Sequence, residues 1–251
     1  MDDSNSRRIM LIVGYDGYDF CGWQIQPHVR TVQQEIESVL ERIHGHHIRV
    51  YASGRTDAGV HATGQVIHFD SDIASIPAER YALILNSQLP IDVRIYGSDV
   101  VPSDFHARFS ARSRSYRYVI KQFADMTPMD QRYCYGVPRL PSVTLLNSYA
   151  REIIGIHDFT TFSAAKDPNE VKIREVFEAV WIENGSSLEF TIRGNAFLWK
   201  MVRSLVGTML ELALKKRESS DMRDILNSLD RSQAGMTAPP HGLRLERIEY
   251  E

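Results

Sequence analysis

Residues 8–69 carry the strongest signal for the fold: they open with RIMLIVG (residues 8–14), continue through TVQQEIESVLERI (residues 31–43) and end on GQVIHF (residues 64–69). The first and last runs are apolar and rich in β-branched residues, which predicts strands. The middle run predicts a helix, because its apolar residues recur at helical spacing: Val32, Ile36, Val39, Leu40 and Ile43. Thr31 and Gln34 predict a capping box at its start.

The same kind of pattern continues outward from this stretch. Strands are predicted at residues 47–51, 93–101, 115–122 and 242–250, helices at 77–85, 143–154, 194–216 and 221–229, and a hairpin over 176–193. Both halves then follow a β-α-β-β-α-β order, which is ferredoxin-like. We therefore predict an α+β fold with two halves, residues 1–109 and 110–251, whose mostly antiparallel sheets merge and leave a cleft.

Composition places the chain among globular proteins. It has 251 residues, 43% hydrophobic and 24% charged. Its two cysteines, Cys21 and Cys134, form no CxxC pair, which predicts free thiols in a reducing cytoplasm. The longest apolar stretch, residues 197–214, carries Lys200, Arg203 and Glu211, so we predict a helix that does not enter a membrane.

Positive charge is concentrated in one segment of an otherwise acidic chain. The net charge is −3, yet residues 105–123 (FHARFSARSRSYRYVIKQF) hold five basic residues and no acid. Such a segment fits a bound polyanion, and it fits a solvated strand face equally well. Tyr116 and Tyr118 share one face of the predicted strand, where they suit base stacking or simply a core.

The sharpest chemical signal is SGRTDAGVHA, residues 53–62. It places Asp57 in a small-residue loop between two strands, with Gly54 and Gly59 allowing tight turns and close approach of a ligand. Arg55 lies two residues away and is expected on the same side of an extended segment. A guanidinium beside Asp57 would keep it ionised. The alternative is an Asx-type turn with a surface ion pair.

Two cations mark the start of the last long helix. Lys200 and Arg203 oppose the positive end of the helix dipole, which is easier to explain if an anion such as Asp57 or an RNA phosphate lies nearby. They could also simply reach solvent. The cluster His44, His46 and His47 lacks the further ligands of a metal site, and no P-loop, GxGxxG or GxSxG motif is present. We predict no metal site.

These residues carry a resemblance to a known family. YDGYDFCGWQIQ (15–26), GRTDAGVHATGQVIHF (54–69), FHARFSARSRSYRY (105–118), GNAFLWKMVRSLVG (194–207) and APPHGLRL (238–245) resemble tRNA pseudouridine synthases of the A type, in family order. The resemblance implies a pseudouridine synthase fold with an RNA-binding cleft and a reaction that isomerises uridine in tRNA, at positions 38–40 of the anticodon stem-loop, after base flipping. It also implies a cytoplasmic homodimer without a cofactor.

The resemblance assigns a role to each site residue. Asp57 is expected to be the nucleophile, Arg55 to hold the flipped nucleotide, Tyr116 to stack on the base, Arg203 to pair with Asp57, and Leu243 to lie beside the uracil. Residues 163–175 are less cationic than the family pattern, which leaves the tRNA contacts of this loop and of 124–141 open. Two other functions remain: a non-catalytic RNA-binding module and a glycosidase acting on free nucleosides.

Overall fold

Burial alternates along the first strand, β1 (Arg7–Tyr15), in a computed structural model that describes residues 6–251. Ile9, Leu11 and Val13 are fully buried, because successive side chains of a strand point to opposite faces. The elements that follow are α1 (Val32–His44), β2 (Tyr51–Ala52), β3 (His61–Ser71), α2 (Tyr81–Asn86) and β4 (Val93–Val100). The predicted β-α-β-β-α-β order is therefore present here.

The chain forms two compact units. The first runs up to Arg112 and includes Leu245–Glu251; the second is Ser113–Arg244. In the first unit β1 pairs antiparallel with β3 and β4, and β2 pairs antiparallel with β3. This is the strand arrangement of a ferredoxin-like sheet, with β1 in an interior position.

The division of the chain differs from the one that the sequence predicts. The predicted boundary assigns all residues from 110 to 251 to the second half, whereas Leu245–Glu251 lie in the first unit. The reason is β10 (Leu243–Glu249), which is a hydrogen-bonded neighbour of β3. The two strands approach closely at Gly64, where an added Cβ would lie 2.0 Å from the Glu246 carbonyl oxygen. A long-range strand pairing of this kind leaves no local signal.

The second unit contains the remaining elements. They are β5 (Ser113–Gln122), β6 (Tyr135–Val137), α3 (Val143–Arg151), β7 (Gly155–Asp158), β8 (Ile173–Asn184), β9 (Ser187–Gly194), α4 (Met201–Leu214) and α5 (Ser219–Asn227). The strands β5, β9, β8 and β7 follow one another in antiparallel pairs, and β6 runs parallel to β5. The predicted α+β class with mostly antiparallel pairing is confirmed.

Some local predictions are wrong. The helix predicted from residue 194 begins at Met201, because Lys200 adopts a left-handed conformation with φ of 64°. The Thr31 side chain makes no capping bond; instead the Val32 and Gln33 amides donate to the Gly22 and Trp23 carbonyls at 3.3 and 3.0 Å. The short strands β6 and β7 are absent from the sequence-based prediction. Within residues 6–251, no helix is both long and apolar enough to cross a membrane.

Candidate active site

Asp57 lies in the loop that connects β2 to β3 in the first unit. Its side chain is half-buried, whereas Arg55 in the same loop is exposed. The loop is irregular rather than extended. Gly59 turns it with φ of 77°, as predicted, but Gly54 has no positive φ and open space where a Cβ would be. Gly54 therefore bends the chain without a conformation that only glycine adopts readily.

Residues 15–26 brace this loop from one side. The Trp23 amide donates to the Thr56 carbonyl at 3.1 Å, and the Gly59 amide donates to the Phe20 carbonyl at 3.2 Å. The Tyr15 hydroxyl and the Thr56 hydroxyl share a buried hydrogen bond of 2.8 Å. The residue directly before Asp57 is therefore fixed through both its backbone and its side chain.

Two glycines make this close approach possible. An added Cβ at Gly17 would lie 2.0 Å from the Val60 carbonyl oxygen, and one at Gly22 would lie 2.7 Å from the Thr56 carbonyl oxygen. Real side chains do not tolerate such distances, so the backbone would have to move. Gly22 also has φ of 88°, a conformation that strains other residues. The positions of the two glycines in YDGYDFCGW are thus fixed by packing against the Asp57 loop.

The strand β3 holds the loop from the other side. The buried amide side chain of Gln65 accepts from the Ser53 hydroxyl at 2.6 Å and donates to the Gly54 carbonyl at 2.8 Å. His61 Nδ1 accepts from the Gly17 amide at 3.0 Å. Because the loop is tied at both ends, the carboxylate is presented by a rigid segment. Such support is what a catalytic group requires.

Arg30 stabilises the bracing segment. Its guanidinium donates two hydrogen bonds to the Asp92 carboxylate, at 2.6 and 2.9 Å, and one to Glu35 at 2.6 Å, and it lies 4.1 Å from the centre of the Phe20 ring. The hydrogen bonding to Asp92 is the main cause that raises the pKa of Arg30. The positive charge of Arg30 therefore stabilises the fold of this segment.

In the second unit, Tyr116 lies on β5 opposite Ile192 and is 9% exposed. Its ring meets Phe197 edge to face, with 5.2 Å between ring centres. The neighbouring Tyr118 is fully buried, and its hydroxyl donates to the Pro239 carbonyl at 2.8 Å. Burial raises the pKa of Tyr118. The predicted common face of the two tyrosines is confirmed, and Tyr118 is a core residue.

Arg203 lies in the first turn of α4, as predicted, and is half-buried. Its Nε donates to the Ala238 carbonyl at 2.8 Å, while the Ala238 amide donates back to the Arg203 carbonyl at 3.0 Å. Leu243 follows at the start of β10 and is 6% exposed. The segments SYRY, KMVRSLVG and APPHGLRL therefore meet within this unit. The pairing of Arg203 with Asp57 stays a prediction.

The basic residues of 105–123 do not form one continuous cationic surface. Arg114 donates to the Asn195 carbonyl at 2.6 Å, Arg117 pairs with the buried Glu189, and Lys121 pairs with Asp130 at 2.9 Å. Three of the five charges are thus engaged inside the second unit. The other two, Arg108 and Arg112, are exposed and belong to the first unit.

The two loops whose tRNA contacts the sequence leaves open are held by carboxylates. Asp130 accepts from the Thr127 amide, the Thr127 hydroxyl and Lys121, which lowers its pKa to about 2. Asp167 accepts from the Trp199 amide at 2.6 Å and from Asn169. Burial alone would raise the pKa of Asp167, but these donors lower it. Asp167 therefore has a structural role in residues 163–175.

Several contributors to the site are not predicted from the sequence. Tyr15, Thr56 and Gln65 hold the Asp57 loop, and Phe197 contacts Tyr116. All four lie inside the stretches that carry the family resemblance, so their position was the available signal. Within the part of the chain that the structure describes, no group of three or more His, Cys, Asp or Glu side chains is arranged to hold a metal ion.

Comparison with known proteins identifies the class. The model of a family described as tRNA pseudouridine synthase matches residues 11–110 and 149–251. A tRNA pseudouridine synthase A of Halalkalibacterium halodurans is 48% identical over 94% of this chain and 90% of its own length. One of Anoxybacillus flavithermus is 46% identical over 98% and 99%. A chain of a solved Cbf5–Nop10–Gar1 complex aligns over 94% of this chain and 57% of its own, with 12% identity and a TM-score of 0.36.

The chain belongs to the tRNA pseudouridine synthase family, the isomerases that convert uridine to pseudouridine in tRNA. The family, the enzyme class and the reaction predicted from the sequence are thereby confirmed. The curated relatives are matched over nearly their whole length, so the likeness covers both units of the chain.

Proposed function

We propose that this enzyme acts on uridines 38–40 of the tRNA anticodon stem-loop and uses Asp57 as its nucleophile. The observation that supports Asp57 is its setting: a half-buried carboxylate on a loop tied down by Tyr15, Trp23 and Gln65. A reactive group gains most from rigid placement, because orientation is then established before the substrate binds.

The reaction needs positioning more than added chemistry. The bond between ribose C1′ and uracil N1 breaks, the base rotates, and C1′ bonds to C5. The proton lost from C5 is balanced by one gained at N1. Nothing enters or leaves, so the isomerisation itself requires no cofactor. The uridine must leave the stack before Asp57 can reach it, and covalent attack by the carboxylate would then hold one fragment while the base turns.

The remaining site residues have supporting roles in this proposal. Arg55 is exposed beside Asp57 and contacts the RNA backbone of the flipped nucleotide. Tyr116 stacks on the base, Leu243 gives the uracil an apolar neighbour, and Arg203 keeps Asp57 ionised. For Arg203, the supporting observation is its fixed direction, since Nε is held by the Ala238 carbonyl at 2.8 Å.

The decisive experiment compares Asp57→Asn with Asp224→Asn, an exposed carboxylate on α5 that serves as the control. Release of tritium from C5 of labelled uridine in tRNA reports turnover. Asp57→Asn should lose about 10⁴-fold or more in activity and keep its tRNA affinity, while the control keeps both. Substantial turnover by Asp57→Asn would remove Asp57 from the role.

Substrate choice is tested separately. Sequencing-based mapping of the product should find pseudouridine at positions 38–40 and nowhere else in the tRNA. A glycosidase acting on free nucleosides would instead release uracil from uridine, and family membership argues against that reading and against a non-catalytic RNA-binding module. The proposal extends to a homodimer in the cytoplasm, which light scattering and cell fractionation would test.

A further inference from the structure

A cluster of aromatic rings lies in the first unit, apart from the Asp57 loop. This aromatic patch consists of Tyr51, His68, Phe105, His106 and Phe109. Tyr51 stacks on His68 with 5.1 Å between ring centres and 18° between planes. His106 connects the others, at 4.7 Å from His68 and 4.4 Å from Phe109. Two members are open to solvent: Phe109 is 76% exposed and Tyr51 is 42% exposed.

Hydrogen bonds fix the rings beneath this surface. Nδ1 of the buried His68 accepts from the Ala107 amide at 3.1 Å, and His106 Nδ1 accepts from the Arg108 amide at 3.1 Å. An Arg8 guanidinium nitrogen donates to the Phe105 carbonyl at 2.8 Å. The exposed Phe109 ring therefore packs on His106, whose own position is fixed by hydrogen bonding before any ligand arrives. Preorganised faces lose little entropy on binding.

Arginines give the patch its charge. Arg49 lies 5.5 Å from the centre of the Tyr51 ring, and Arg108 lies 5.6 Å from that of Phe109. The carboxylate of Asp70 is paired with Arg8, two of whose nitrogens donate to it at 2.7 and 2.9 Å, so its negative charge is offset there.

The histidines of the patch are uncharged near neutral pH. Burial, and after it the charge of Arg8, lowers the pKa of His68 to about 4. The same two causes lower the pKa of His106. Both side chains therefore act as neutral rings near pH 7, and the arginines carry the positive charge.

We infer that the aromatic patch binds an unpaired nucleotide of the tRNA, with its base stacked on the exposed Phe109 ring while Arg49 and Arg108 contact its phosphates. Exposed aromatic faces beside guanidinium groups suit single-stranded RNA, because every base offers a stackable face and every nucleotide carries a phosphate. This inference rests on the proposed function, in which tRNA is the substrate.

The nucleotide bound here is not the target uridine. Tyr51 lies opposite His68 on β3, and the Asp57 loop joins β3 at His61. Seven residues of strand, at about 3.3 Å each, separate the two positions by roughly 20 Å. A contact so far from the reacting base can add affinity without touching the chemical step. It should therefore change the KM for tRNA and leave kcat unchanged.

The test uses the full chain and whole tRNA. Phe109→Ala is compared with Leu83→Ala, which truncates a similarly exposed side chain on α2 of the same unit. Stacking of one base is worth about 1–3 kcal/mol, so Phe109→Ala should raise the KM about tenfold at unchanged kcat. Phe109→Tyr, which keeps a ring, should restore it. Arg108→Gln should weaken binding and lower the salt dependence by about one phosphate contact.

Binding is measured independently of catalysis, with the Asp57→Asn protein as host for the same changes. If Phe109→Ala and Arg108→Gln bind tRNA like their host, the patch has no RNA contact and the inference is wrong. A change in oligomeric state with intact tRNA affinity would assign the patch to protein contact and would equally overturn the inference. Activity retained by Asp57→Asn alone would instead contradict the proposed nucleophile and leave the patch result to stand by itself.

Discussion

The Asp57 loop and the basic segment 105–123 look similarly functional in the sequence, yet their residues make different kinds of contact in the folded protein. Around the loop, hydrogen bonds from Tyr15, Trp23 and Gln65 all hold backbone or side chains next to Asp57. The basic segment is divided instead. Arg117 and Lys121 pair within the second unit, whereas Arg108 and Phe109 are exposed in the first.

A charged residue type therefore indicates little about function until its partner in the fold is known. Arg117 pairs with Glu189 because β5 and β9 pair in a register that sets Arg117 opposite Thr191, two residues from that carboxylate. Arg108 lies in the connection between β4 and β5, outside any strand, and is exposed. The loop around Asp57 is more dependable at Gly59, whose positive φ of 77° requires glycine.

The largest effect is expected from breaking the brace of the Asp57 loop. Gly17→Ala puts a Cβ 2.0 Å from the Val60 carbonyl oxygen, so backbone must shift at the cost of about 3 kcal/mol of unfolding free energy. Turnover should fall with it. Gly54→Ala is the control, because open space surrounds that position. Urea unfolding measures both; equal stability of the two variants would mean that the brace does not constrain the loop.

Two arginines of the basic segment separate structural from surface roles. Arg117→Ala removes a charged partner from the buried Glu189, whose carboxylate also accepts from Asn184, so we expect about 2 kcal/mol of destabilisation. Arg108→Ala should cost less stability than Arg117→Ala, because Arg108 is exposed, and it should weaken tRNA binding. Thermal unfolding and tRNA titration give the two readings. The contrast is lost if Arg108→Ala destabilises the fold as much as Arg117→Ala does.

A smaller change tests the side-chain hydrogen bond of Thr56, the residue directly before Asp57. Tyr15→Phe removes the hydroxyl that bonds to Thr56 and should cost about 1 kcal/mol. Because Thr56 precedes Asp57, kcat should fall several-fold while the KM for tRNA stays unchanged. Tyr96→Phe, on the exposed face of β4, is the matched control. A rise in KM without a loss of kcat would place Tyr15 in substrate binding and not in positioning.

The smallest effect at neutral pH concerns His68 of the aromatic patch, which is uncharged there in the folded protein. His68 has its pKa lowered to about 4 in the folded protein, mainly by burial, against about 6.5 when unfolded. Between these values the unfolded chain binds the extra proton, so stability falls as pH drops from 6.5 towards 4. The loss should stay below about 1.4 kcal/mol per pH unit. Unfolding curves of His68→Asn should show a shallower acid dependence; an unchanged slope would mean that His68 does not titrate in this window.

The amino-acid sequence alone was enough to predict the strands and helices with strong apolar periodicity, the α+β class, the family and the candidate residues. These are local properties: alternation in β1, helical spacing in α1, and the glycines of the Asp57 loop are visible without knowledge of distant residues. The short strands β6 and β7 were not predicted, because three or four residues show too little periodicity.

The partners of those residues become visible only in the folded structure. Glu189 pairs with Arg117, and the Gly22 and Trp23 carbonyls take the place of the expected Thr31 cap. The last strand, β10, is a hydrogen-bonded neighbour of β3. Each of these contacts joins residues that are not neighbours along the chain. Their energies depend on distance and burial, which exist only once the chain has folded, so residue order alone cannot reveal them.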